Sequence, residues 1–229
     1  MDHINYELDI TDEDLELKGA AHKFAKDVLR PAGIKIDRMT AEEATSADSP
    51  LFEVMRQATE LGYNRMGAPE NMGGSVVSPL AAVLVNEELA WGNMGLAGAI
   101  GLSSAHASIA MALGSEEIKE EFARPFFECT DGSIIGCWAV TEPDHGSDTL
   151  GVMQPEMVVK ARGQLIARKT GDDYILNGQK AAWVSNGPIA THAMLNVHLD
   201  PDNTLDQGGI CLLPLNLPGI SRGKPLDKL

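Results

Sequence analysis

The sequence is poor in aromatic residues, which make up only 5% of its 229 positions, and poor in positive charge, with 18 Lys and Arg against 33 Asp and Glu. A core must therefore be built mainly from Ala, Leu, Ile, Val and the ten Met. A formal charge of −15 argues against nucleic acid or an anionic membrane surface as a partner, because both are polyanions. It leaves room for an anionic ligand in a local basic or backbone-lined pocket, and it equally fits plain solubility. Cysteine is scarce too: Cys129, Cys137 and Cys211 are odd in number, widely spaced and without CxxC or Cys/His spacing. No disulfide framework or metal site is expected, and Cys137 and Cys211 read as small buried hydrophobes in strands.

Long apolar runs are missing as well. The longest, Gly95 to Leu113, is interrupted by Ser103, Ser104, His106 and Ser108, and suits a buried helix better than a membrane span. The first fourteen residues are acidic and lack an apolar h-region or an Arg-rich amphipathic pattern. The expectation is a cytoplasmic protein, with a mitochondrial matrix location only if a transit peptide has been removed.

What is present divides at about residue 131. Residues 1–131 carry helix signals and residues 132–229 strand signals, so the expected class is α+β: an all-α N-terminal domain followed by an antiparallel, barrel-like β domain. Thr11 precedes Asp12, Glu13 and Asp14, an N-cap with an acidic first turn, and that helix is expected to stop at Pro31. Ile34 to Asp48 reads as polar and irregular. Ser49-Pro50 and Ser78-Pro79 open two more helices with proline at the first position. A single small-residue helix is expected over Leu96 to Leu113, and Ser115 caps a fifth that Pro125 interrupts or ends.

In the second half, Ile134 to Val140, parts of Met157 to Arg168, Thr191 to Leu199, Gly209 to Leu215 and Gly219 to Arg222 read as strands. Thr170-Gly-Asp-Asp173 is turn chemistry, and Asn177-Gly178 is the strongest hairpin signal. A strand so near the end of the chain, with no closing element, suggests continuation in sequence or in another chain.

Two segments carry chemistry. In Trp138-Ala-Val-Thr141-Glu-Pro-Asp-His-Gly-Ser-Asp148, a strand delivers a hydroxyl and a Gly146-Ser147 turn follows. Such a turn is either ordinary punctuation or a cradle of N–H groups for a pyrophosphate. In Asn177-Gly-Gln-Lys-Ala-Ala-Trp183-Val-Ser185-Asn-Gly187, a hairpin is followed by a Trp and a Ser two apart, expected on one face of a strand. They either sit as core Trp and exposed Ser or shield a flat ring and donate to it.

In this order, behind this helical front, the two segments resemble the acyl-CoA dehydrogenase family along the whole chain. Phe24 to Pro31, Gly62 to Gly74 and Gly114-Ser-Glu-Glu-Ile-Lys119 extend the resemblance. It implies FAD as cofactor, acyl-CoA as substrate, an electron-transfer flavoprotein as electron acceptor, and a homotetramer or homodimer. Trp138, Ala139, Val140 and Thr141 would line the pyrimidine side of the flavin. Gly146 and Ser147 would meet the pyrophosphate, with Ser147 also near the thioester arm. Trp183 would cover the face away from substrate, Ser185 would bond near the N5 edge, and Gly98, Gly101 and Ala105 would line a roomy acyl pocket.

Trp138 and His145 depart from the usual residues at their positions, and His145 reads as a solvated loop histidine. The family's catalytic carboxylate would lie beyond Leu229, so no Glu here takes that role, and Glu142 reads as structural. Rival readings are an acyl-CoA oxidase or flavin monooxygenase on the same scaffold, or a non-catalytic subunit without the base.

Overall fold

The computed structural model describes residues 10–75, 77–146, 148, 154, 156, 162–200, 204 and 207–227. The helical half opens on α1 (Asp12–Phe24). Thr11 accepts from the Asp14 backbone while the Asp14 carboxylate accepts from the Thr11 N–H, closing a capping box. The other Asp14 oxygen accepts from the Ser78 hydroxyl at 2.8 Å, and Ser78 itself caps α5 (Pro79–Gly92). One buried carboxylate thus pins the starts of two helices that run side by side.

Pro31 does not end the first helix. A π-helical segment, Ala25–Leu29, joins α1 to α2 (Arg30–Ile36). The same device recurs where Lys119–Ala123 joins α8 (Glu116–Ile118) to α9 (Arg124–Glu128) across Pro125. Proline collides with the carbonyl four residues upstream, here Asp27 and Glu121. Both carbonyls lie inside the wider π turns, which make room without breaking the helix. The irregular stretch expected after Ile34 holds one further turn, α3 (Ala41–Ala44), and α4 (Pro50–Glu60) follows its Ser49 cap.

The small-residue helix expected over 96–113 is two: α6 (Met94–Leu102) and α7 (Ala105–Leu113), bent by 41°. At the break the Ser103 hydroxyl donates to Ile100 O and the Ser104 hydroxyl to Gly101 O. Side-chain donors compete for the carbonyls that the next helical turn needs. Among the described residues no single helix is long and apolar enough to cross a membrane.

The sheet is mixed and, among the described residues, not closed. This corrects the expectation of an antiparallel, barrel-like domain. Strand β4 (His192–Leu199) lies at its centre. Along one edge β4 pairs in parallel with β1 (Gly136–Ala139), Gly136 opposite His192, and then with β2 (Ile166–Thr170), Ile166 opposite His198. Along the other edge β5 (Gly208–Pro214) runs antiparallel to it from His192↔Pro214 to His198↔Gly208.

Both parallel pairings are reached by crossovers longer than the dozen residues they require, a feature local turn signals do not report. The hairpin lies at Gly171-Asp172, between β2 and β3 (Asp173–Asn177), and Asn177-Gly178 merely ends β3. Residues 219–222 form no strand. Arg222 donates to the Pro188 and Ala190 carbonyls, and beyond it Lys224 pairs with Glu42. Residues 157–161, part of an expected strand run, lie outside the described residues.

The core answers to the composition. Its main cluster joins Ala21, Phe24, Leu29, Val54, Met55, Leu89, Leu96 and Ile100 with Ile135 and Ile189 from the sheet side. The seam between the two halves is tight at Gly136, where a Cβ would overlap the His106 ring and the Ser103 carbonyl. His106, 1% exposed, stacks on His192 at 5.1 Å and meets Phe126 edge-on. Burial, reinforced by the neighbouring His192, pushes its pKa down to about 3.

That seam makes stability pH-dependent. The folded pKa of His106 lies below the ~6.5 of an unfolded histidine, so the unfolded chain takes up the proton first. Stability is whole above that value and drains as pH falls from ~6.5 towards 3, by up to ~1.4 kcal/mol per unit from this group. Burial lowers His192 and His198 as well, adding to the same slope. Urea denaturation across this range should show the loss, and His106→Leu should give a shallower slope. An identical slope in the variant would remove His106 as its source.

Candidate functional site

The first chemistry-bearing segment leaves β1 at Ala139 and turns at Glu142. This carboxylate is buried, and both of its oxygens are engaged. Oε1 accepts from Lys180 Nζ at 2.8 Å and from the Leu165 N–H at 2.9 Å, while Oε2 accepts from the Gln164 N–H at 2.6 Å. The side chains of Glu142 and Lys180 are 0% and 8% exposed. Burial pushes the Glu142 carboxyl up, but the Lys180 ammonium and the two backbone donors together outweigh it and hold it below the usual range. Burial likewise depresses Lys180, and Glu142 restores part of the loss.

Lys180 Nζ also donates to the Val140 carbonyl at 3.0 Å, and the Ala181 N–H donates to the Thr141 carbonyl at 2.9 Å. The two motifs are therefore stitched together residue by residue, 140–142 against 180–181. Beyond the stitch, Asp148 organises the turn by accepting from the Gly146 N–H at 2.6 Å and contacting His145 Nδ1 at 2.9 Å. Asp144 and Gln164 close it with a reciprocal pair of bonds. His145 is half-buried and held by Asp148, which corrects its reading as a solvated loop residue.

The second segment corrects another expectation: residues 178–191 form turns rather than a strand, so Trp183 and Ser185 do not share a strand face. Two residues with positive φ bracket them, Ala182 at 51° and Asn186 at 63°. Asparagine tolerates this region, and here its side chain is anchored, donating to Ala99 O at 2.8 Å and Gly136 O at 3.2 Å. The bracketed loop presents the Trp183 indole 71% exposed.

The remaining positions fall as follows. Trp138 donates its indole N–H to Asn196 on β4 at 2.9 Å, and Ala139 is buried. Val140 and Thr141 are half-buried. Among the described residues neither the N–H nor the hydroxyl of Thr141 has a hydrogen-bond partner, nor does the Ser185 hydroxyl. Ser147 lies outside the described residues. Gly98 and Gly101, on α6, would each carry a Cβ into open space, and Ala105 starts α7. The Asn186 bond to Ala99 ties α6 to the Trp183 loop.

The structure thus gathers the 138–146 and 183–185 positions at one edge of the sheet, with α6 tied alongside. Sequence reasoning gave no role to Lys180, Gln164 and Asn186, which hold this edge together. A lysine set in the run Lys-Ala-Ala-Trp-Val was the signal for the first, since a cation among small apolar residues needs a buried partner.

A helical half is followed by a small mixed sheet, and the two meet at the seam of Gly136 and His106 and through the Asn186 bond to Ala99. A family model for the acyl-CoA dehydrogenase N-terminal domain matches residues 11–129, and one for the middle domain of the same family matches residues 137–229. The chain belongs to the acyl-CoA dehydrogenase family.

It is 32% identical over 220 residues to a probable medium-chain specific acyl-CoA dehydrogenase 2, mitochondrial, of Caenorhabditis briggsae, covering 94% of this chain and 48% of that protein. It is 31% identical over 227 residues to the mitochondrial isovaleryl-CoA dehydrogenase of Pongo abelii, covering 96% and 48%. The solved butyryl-CoA dehydrogenase of Megasphaera elsdenii superposes with a TM-score of 0.76 at 26% identity, over 97% of this chain and 54% of the other. The chain spans about half the length of the curated relatives it matches.

Glu142→Ala is expected to leave Lys180 buried without its counter-charge and to cost about 3–5 kcal/mol, the usual penalty for breaking one side of a buried pair. Urea denaturation measures it. A loss under about 1 kcal/mol, typical of an exposed pair, would contradict the arrangement.

Proposed function

We propose that this chain forms the cofactor-binding half of an FAD-dependent acyl-CoA dehydrogenase, which converts an acyl-CoA thioester to its 2-enoyl-CoA and passes electrons to an electron-transfer flavoprotein. One observation carries the reading: an edge that is rigid behind and open in front. Behind, Lys180 and Glu142 fix the backbone of residues 140–142. In front, two Thr141 donors, the Ser185 hydroxyl and an exposed indole are available to a flat, hydrogen-bonding ring. That donor set fits an isoalloxazine, whose carbonyls and ring nitrogens accept and whose faces are apolar.

In this reading Trp138, Ala139, Val140 and Thr141 hold the pyrimidine side of the ring, Trp183 covers one face and Ser185 bonds its edge. Gly146 and Ser147 take the pyrophosphate. Bound FAD supplies the two-electron acceptor for the hydride leaving the β-carbon. The protein's part is to hold the ring, exclude water from one face and present donors where negative charge grows. The α-proton requires a carboxylate opposite the ring. Glu142 is unsuited to that role, because its oxygens already accept from Lys180, Leu165 and Gln164. Open space beside Gly98 and Gly101 suits an acyl chain of some length.

The test is the visible spectrum of the purified full-length polypeptide and its bleaching by an acyl-CoA. A yellow protein that bleaches supports the proposal; a colourless one that takes up no FAD overturns it. Trp183→Ala should change folding stability by no more than about 0.5 kcal/mol, because the side chain is largely exposed, while reducing flavin retention. Unchanged flavin content after gel filtration would remove Trp183 from the site.

A further inference from the structure

The contact between Lys180 and the Val140 carbonyl has a chemical consequence beyond holding the chain in place. A carbonyl and the following N–H belong to one conjugated amide, so charge drawn to one end is felt at the other. The amide that includes the Val140 carbonyl ends in the Thr141 N–H. Its oxygen lies 3.0 Å from an ammonium whose side chain is 8% exposed, where little water screens the field. Its N–H is a donor without a partner among the described residues. Glu142, 2.8 Å from the same ammonium, offsets part of the field, but its charge is shared with the Gln164 and Leu165 N–H groups.

We propose that Lys180 is a redox-tuning residue: by polarising the Val140–Thr141 amide, it strengthens donation from the Thr141 N–H to the flavin and raises the flavin's reduction potential. The inference rests on the flavin reading above and adds to it a residue that does not itself touch the ring. Reduction places electron density on the ring, so a stronger donor favours the reduced form over the oxidised one. Lys180 is thus a positioning and polarising residue, not a catalytic one.

The experiment compares full-length wild type, Lys180→Met and the double variant Glu142→Gln/Lys180→Met. The double variant removes both charges, so it escapes the penalty of a buried unpaired carboxylate should the single variant fold poorly. The midpoint potential is read by spectroelectrochemical titration and the affinity for oxidised FAD by fluorescence. In both variants the reduced flavin is expected to lose about tenfold more affinity than the oxidised flavin, which for a two-electron couple lowers the potential by about 30 mV. A wild-type potential in either flavin-loaded variant overturns the proposal. Loss of FAD from both variants also overturns it, because the pair would then serve only as scaffold. A wild type that takes up no FAD would instead refute the flavin reading, and so the two failures are distinct.

Discussion

The ion pair between Glu142 and Lys180 is the constraint on which the rest of the site depends. Taking two charges out of water costs several kcal/mol per ion, and a lone pair contact seldom offsets that in full. Here the offset is shared. Three hydrogen bonds reach the carboxylate, and the ammonium divides itself between Glu142 and the Val140 carbonyl. The same bonds join segments far apart in sequence: the exit of β1, the entry to β2 and the loop before Trp183. An apolar contact at the same place would be non-directional and would fix no register between these segments. The charges also select one arrangement, since a slip by one residue would leave a buried carboxylate and a buried ammonium both unmatched.

A second seam, between helices and sheet, works by the opposite means. At Gly136 the absence of a side chain lets β1 approach α7 until the His106 ring fills the space. Its stacking on His192 and edge contact with Phe126 supply the aromatic packing that the composition otherwise withholds. Asn186 then fastens the loop to both sides, to Ala99 on α6 and to Gly136 on β1. One seam is polar and directional, the other close-packed. Together they hold residues 138–146 and 183–185 against α6.

Much of this was legible where chemistry is local. Thr11, Ser49, Ser78 and Ser115 mark helix starts because a hydroxyl there satisfies an N–H that nothing else can. The strands at 136–139, 192–199 and 208–214 fell close to their apolar runs. The failures share a cause as well. Pro31 signals a helix stop only if no π turn absorbs the clash, and that is decided by packing on the core through Leu29. Asn177-Gly178 has hairpin chemistry, yet the register Ile166↔Asn177 shows that β3 ends there, with the turn made by Gly171. The parallel pairings depend on partners more than fifty and thirty residues away, respectively, and no local pattern encodes them. At the site the two motifs stood out as sequence patterns, but the bond between Glu142 and Lys180 did not, because nothing in two separated motifs states that they touch.

The strain beside Trp183 has a bearing on how the site is built. Ala182 holds a φ of 51°, a region that costs a residue with a Cβ roughly 1–2 kcal/mol. Such a conformation persists only where its surroundings impose it. On one side Lys180 and Ala181 are bonded to residues 140–142; on the other Asn186 is bonded to α6 and β1. The four residues 182–185 must close the gap between these two anchors, and the left-handed step at Ala182 is how they do so. The loop that carries Trp183 is consequently fixed at both ends by these anchors. A loop fixed at both ends has met its ordering cost in folding, whereas a mobile loop would meet it only on binding.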